Sequence, residues 1–134
     1  MDILLDTGAT YASVDPRDEH WGPARRFLRE PGLRLVTTSA VVSETYTLVR
    51  RRLGYGDAVG HVGMLRRSSF VRVYYVDEQF DADIWKKLET LRGIALSYVD
   101  AALIVLGERL RIRRIFTFDE DFREAGLEVV PQPE

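Results

Sequence analysis

Four acids stand where they could do chemistry: Asp6, Glu44, Asp100 and Asp119. Asp6 closes the apolar run ILLD, and Asp119 follows the strand-like IFTF. Asp100 falls in the first turn of a helix opening SYVD, and Glu44 lies near the start of another, SAVVSETYTLV. Two carboxylates about 4 Å apart repel by roughly 4 kcal/mol at an effective dielectric near 20. Converging acids must therefore take up protons, find cations or move apart. No Lys lies near these motifs, because Lys86 and Lys87 sit together in one helix. A hard divalent cation, Mg²⁺ or Mn²⁺, answers the repulsion economically, since it takes oxygen ligands and keeps water positions open. Such a centre can hold a phosphate and activate a water. Each acid also has a plainer reading. Asp6 can cap a short helix, Ser97 and Asp100 have capping-box spacing, Asp119 can cap the turn over 120–125, and Glu44 can be a helix-surface acid.

The elements must bring these positions together. Short apolar runs predict strands at Ile3–Leu5, Leu33–Thr38, Phe70–Val76, Arg113–Phe118 and Leu127–Val130. Helices are expected at 8–14, His20–Arg29, Ser39–Leu53, Tyr55–Arg67, Phe80–Leu91 and Ser97–Leu110. Ser39 is the expected N-cap of the third and Gly54 its C-terminal stop. The alternation predicts an α/β fold with a mostly parallel sheet covered on both faces. In such a sheet the strand ends and the starts of the returning helices share one edge, where open α/β sheets bind ligands. Two helices fill each of two gaps between strands, so one of each pair must cross or protrude. The segment Tyr98–Leu106 is apolar nearly all round and reads as a buried helix.

Composition narrows the classes. The 134 residues suit one domain over 1–134, and the absence of Cys excludes disulfides and thiolate metal sites. The formal net charge of −2 argues against a polyanion binder held by bulk charge, although Arg clusters at 25–29, 50–52, 66–67 and 111–114 could grip phosphate. No apolar run spans a bilayer, and the start lacks a basic n-region, so a cytoplasmic protein with no membrane partner is expected. His20 and His61 lack zinc-ligand spacing and read as a loop or helix-start residue and a helix-face residue. There is no P-loop and no G-x-G-x-x-G.

The ordered set ILLDTGATYA, SETYTLVRRRL, SYVDAALIVLGERL and IFTFDEDF resembles PIN-domain ribonucleases, and most of all the VapC-type toxins of toxin–antitoxin pairs. The resemblance spans essentially the whole chain. It implies a three-layer α/β/α sandwich with a central parallel sheet of about five strands. It implies metal binding by Asp6, Asp100 and Asp119, with Glu44 as the fourth acid of the catalytic pocket. Thr7 and Thr117 match hydroxyl positions flanking the site, and Asp121 is a possible auxiliary acid. Gly8 stands where many relatives carry a small polar residue. The implied activity is metal-dependent endoribonuclease cleavage of an RNA substrate, leaving 5′-phosphate and 3′-hydroxyl ends. The implied partners are a cognate antitoxin protein and a second copy in a homodimer. Alternatives are an RNA-processing nuclease that is not a toxin and a catalytically silent binding module. A phospho-acceptor module fits less well, because it wants paired acids at the first strand and a Lys after a late one.

Overall fold

A computed structural model describes residues 1–133. Its strands are β1 (Asp2–Leu5), β2 (Arg34–Thr38), β3 (Val71–Tyr74), β4 (Arg114–Phe116) and β5 (Glu128–Val130). Its helices are α1 (Thr7–Ala12), α2 (Trp21–Phe27), α3 (Ser39–Leu53), α4 (Tyr55–Arg67), α5 (Glu78–Thr90), α6 (Tyr98–Leu110) and α7 (Asp121–Glu124). The sheet has the order β3-β2-β1-β4-β5, and each neighbouring pair is parallel. The expected parallel α/β architecture is therefore present, with β1 one residue longer than its apolar run and β2 to β5 slightly shorter than theirs.

Alternation along β1 sorts its side chains onto two faces. Leu4 joins Val36, Ile115 and Val129 beneath α5, α6 and α7. Ile3 and Leu5 join Leu35 and Phe116 beneath α1, α2 and α4. This is the period-two pattern of a sheet covered on both sides. Helix α6 is buried from Ala101 through Gly107, as its apolar sequence predicts. Gly107 marks its closest approach to the sheet. A Cβ there would lie 2.9 Å from the Ile112 carbonyl oxygen and 3.0 Å from Leu4 Cδ1.

Helix α3 resolves the crowded crossover between β2 and β3. Val41, at its start, packs with the α6 face, whereas Val49 packs with Tyr11 of α1 and Ala58 of α4. The helix thus passes over the carboxyl edge of the sheet from one face to the other. Gly54, at φ 101°, turns the chain into α4, which brings Leu65 onto the α1 and α2 face. The expected cap of α3 is corrected by one residue. Thr38, still extended at ψ 160°, accepts from Val41 N–H. Ser39 Oγ instead accepts from Val76 N–H at 3.0 Å, tying the exit of β3 to the start of α3. A β-branched Thr suits the last strand residue, and that places the cap there. Among the described residues, no helix is long and apolar enough to cross a membrane.

Candidate active site

The strand order reverses its direction of growth at β1. From there the chain builds outward to β2 and β3, then returns to add β4 and β5 on the other side. At such a switch point the two departing connections separate and leave a crevice beyond the strand ends. A cleft of about 580 Å³ opens there, and its walls include Asp6, Glu44, Asp100 and Asp119. Asp6 leaves β1, Asp119 follows β4, Asp100 comes from the first turn of α6, and Glu44 from α3 as it crosses the edge. The four sequence-predicted acids are thus brought together from four separate elements.

Asp6 is the most constrained of them, with 7% of its surface exposed. One carboxylate oxygen accepts from Thr7 N–H at 2.8 Å, and the other accepts from Thr117 Oγ at 2.7 Å. Thr117 Oγ in turn accepts from Asp119 N–H at 3.0 Å, so one buried hydroxyl links the ends of β1 and β4. Burial pushes the Asp6 carboxyl up to about 7, and the charges of Asp100 and Asp119 push the same way. The bonds from Thr117 and Thr7 oppose the rise without cancelling it. Asp100 is also raised, first by burial and further by the charges of Asp119 and Glu44. The bonds from Ser97 oppose that shift. The acids therefore feel one another.

The plainer roles are present as well. Asp6 is the N-cap of α1, and Asp100 completes a capping box with Ser97 at 3.0 and 3.1 Å. Asp119 accepts from Asp121 N–H at 2.9 Å at the start of α7. Capping and convergence coincide because these helices begin at the edge where the strands end. In Asp100 and Asp119 the cap occupies one carboxylate oxygen. Among the described residues, the other makes no hydrogen bond. Caps hold each acid close to its own helix, and among the described residues no three acids form a ready-made metal cage.

The remaining predicted residues divide. Thr7 is buried and lines the cleft, and its hydroxyl has no hydrogen-bond partner among the described residues. Thr117 bonds Asp6 directly. Asp121 does not line the cleft, whereas exposed Glu120 does, and Glu120 pairs with Arg123. A Cβ at Gly8 would lie 4.0 Å from Asp6 Oδ2, so there is room beside the acid where a polar side chain is absent.

Sequence reasoning missed Tyr11, Asp18, His20 and Arg52 as cleft residues. Arg52 reaches the cleft with its guanidinium 5.0 Å over the Tyr11 ring, while Tyr11 donates to Asp15 at 2.5 Å. An arginine cluster at 50–52 was visible, but only the path of α3 shows which member turns inward. A set of carboxylate oxygens around a buried acid near its neutral form, with an orphaned hydroxyl beside it, suits a hard divalent cation completed by water.

The fold is shared with known proteins. The family model described as PIN domain matches residues 3–127. The 23S rRNA-specific endonuclease VapC20 of Mycobacterium tuberculosis is 31% identical over 131 residues, covering 97% of this chain and 99% of that protein. The crystal structure of the same M. tuberculosis VapC20, titled a sarcin–ricin loop cleaving toxin, superposes with a TM-score of 0.86 at 30% identity. The match covers 94% of this chain and 96% of that one. A toxin–antitoxin complex from Klebsiella pneumoniae shares the fold at a TM-score of 0.66 and 18% identity, with 98% of both chains covered. The chain belongs to the PIN domain family, as a member of its VapC type.

Proposed function

We infer that the protein is an endoribonuclease that hydrolyses RNA phosphodiester bonds, the toxin of a type II toxin–antitoxin pair. The observation that carries this reading is the buried Asp6, held near its neutral form at a switch-point cleft by burial and by two acids from other elements. PIN-domain nucleases generally use divalent metal ions. Here Asp6, Asp100 and Asp119 would hold Mg²⁺ or Mn²⁺, with Glu44 closing the pocket from α3. The bound cation supplies a Lewis acid for the phosphoryl oxygens and eases ionisation of the attacking water.

The chain's own residues do the positioning. Thr117 fixes the Asp6 carboxylate and the Asp119 backbone in one unit. Thr7 donates its backbone N–H to the other Asp6 carboxylate oxygen and holds it from the start of α1. Arg52 faces the cleft as a cation and is suited to orient an RNA phosphate. Water adds across the phosphorus–oxygen bond, leaving a 5′-phosphate on one fragment and a 3′-hydroxyl on the other.

The relation to VapC20 makes 23S rRNA and its sarcin–ricin loop the first substrates to try. The shared fold of toxin–antitoxin complexes supports a cognate antitoxin partner. The family resemblance supports a homodimer and a cytoplasmic site of action. The test is cleavage of ribosomal RNA with added Mg²⁺ or Mn²⁺, with Asp6→Asn and Asp100→Asn alongside. Activity should require the metal and vanish in both variants. Cleavage that survives chelation and both substitutions overturns the reading.

A further inference from the structure

One wall of the cleft carries an aromatic pair that the proposed chemistry leaves unused. His20, at the start of α2, lies flat against Phe118, with ring centroids 4.2 Å apart and planes 2° from parallel. Phe118 is braced from behind. It meets Phe116 edge-on at 6.0 Å, and Phe116 packs on Phe27 at 4.6 Å. Phe116 is fully buried, so a file of rings runs from the core out to the rim. At its outer end the His20 side chain keeps 40% of its surface exposed.

This pair separates two hollows. On one side is the acidic cleft. On the other is a chamber of about 560 Å³ that shares His20, Thr117, Phe118 and Glu120 with it. The chamber adds apolar walls from Phe27 and Pro131 and polar groups from Glu30 and Gln132. Flat apolar walls with a few donors and acceptors suit a small planar heterocycle. Unpaired bases of RNA are recognised in this way, by stacking on aromatic rings and hydrogen bonding along their edges. Position along the chain adds a second constraint. Phe118 stands between Thr117, which bonds Asp6, and Asp119. A nucleotide with its phosphate over those acids has its base beside this wall.

We propose that the His20–Phe118 pair and the chamber behind it form a nucleobase-binding subsite for the unpaired nucleotide next to the scissile phosphate. This rests on the endoribonuclease reading above and adds the group that selects the cut. His20 supplies the exposed stacking face, Phe118 holds that face rigid, and Gln132 and Glu30 read the base edge. Stacking alone is tolerant of base identity because every base has a π-face, so preference comes from the edge contacts.

The experiment uses the full chain carrying Asp100→Asn, in Mg²⁺, so that bound RNA stays intact. The probe is a short single-stranded RNA with a fluorescent adenine analogue placed in turn at each position around the cleavage site mapped with the wild-type protein. Stacking should quench the analogue at one position adjacent to the cut. His20→Ala should weaken binding about tenfold and abolish that quenching, whereas His20→Phe restores both. In the active background, His20→Ala should raise KM with kcat held within about twofold, as loss of uniform binding requires. Gln132→Ala should change which base is preferred at that position. If His20→Ala binds and quenches like its parent, the subsite is overturned while the nuclease reading stands. If the wild-type protein cuts no RNA, both fall.

Discussion

Neighbouring residues of this chain look into two different hollows. Asp6, Thr7 and Tyr11 line the acidic cleft, while Leu5, Thr10 and Ser13 line an apolar hollow of about 420 Å³ over the α1 and α4 face. Each hollow contains a buried titratable group whose charge burial disfavours. In the cleft it is Asp6, raised to about 7. In the apolar hollow it is His61, lowered by burial alone. The two differ in their company. His61 Nε2 shares a 2.7 Å hydrogen bond with Thr10 Oγ, and no charged group contributes to its shift. Asp6 has two hydrogen bonds and still faces the charges of Asp100 and Asp119. Burial by itself therefore does not mark a functional site. Repulsion between like charges from separate elements does, because a bound cation relieves it while the acids stay ionised, whereas a proton relieves it only by discharging them.

The sharpest way to break this contrast is Asp6→Asn. It should lower RNA cleavage by at least about a hundredfold, the scale seen when an electrostatic contact to the reacting group is removed. The same change should raise metal-free stability at pH 8. There the wild-type carboxylate is ionised against a folded-state preference for the neutral acid. A shift from about 3.9 to about 7 corresponds to about 4 kcal/mol as an upper bound. Thermal melts without metal would check this. An Asn variant no more stable than wild type at pH 8 would mean that Asp6 is not frustrated.

The second prediction concerns pH and metal together. Between about 4 and 7 the folded state holds a proton on Asp6 that the unfolded state releases. Stability from this group is therefore full below about 4 and lost as pH rises to about 7. His61 has the opposite sign. Its folded pKa is depressed, so its contribution is present above about 6.5 and lost as pH falls through the folded value. Mg²⁺ or Mn²⁺ should raise the melting temperature at pH 8 far more than at pH 5, because the cation binds the ionised acids. A metal-induced shift of equal size at both pH values would count against carboxylate coordination.

Thr117→Val tests the link between β1 and β4 at similar volume. It removes the donor to Asp6 and the acceptor for Asp119 N–H, so both acids lose orientation. Cleavage or metal affinity should fall about tenfold or more, as it does when the partner of a metal ligand is lost. Without that bond the Asp6 carboxyl should rise further, and the pH at which metal begins to stabilise the fold should rise with it. A profile unchanged from wild type would show that the hydroxyl is only packed there.

What the sequence discloses here follows from how local each feature is. Asp6 and Asp119 are legible because each directly follows an apolar strand, and strand ends in a parallel sheet share an edge. The capping box at Ser97 and Asp100 is legible because its partners are three residues apart. With the α3 cap shifted from Ser39 to Thr38, Ser39 bonds Val76 instead, a partner that lies beyond α4 and β3. The inward turn of Arg52 depends on Val49 meeting Tyr11 and Ala58. The His20–Phe118 stack joins residues 98 positions apart (118 minus 20), with no spacing rule to announce it. Local rules thus found Asp6, Asp100 and Asp119. The groups around them are placed by packing between distant segments.

The smallest effect should come from the other side of the comparison. His61→Gln keeps a polar group that can reach Thr10 Oγ while removing the titration. If the apolar hollow is independent of the chemistry, cleavage at pH 8 should stay within about twofold of wild type, since the change lies outside the charged cluster. Stability at pH 8 should change by about 1 kcal/mol or less, because one neutral hydrogen bond replaces another. Below about pH 6.5 the variant should lose less stability than wild type, since no buried imidazole remains to take up a proton. Melting temperatures across pH 5 to 8 for both proteins, with cleavage assayed at pH 8, separate the possibilities. A large loss of cleavage at pH 8 with stability intact would show that the two hollows communicate through α1. In that case Thr10, three residues from Thr7 on the same helix, is the residue through which they do so.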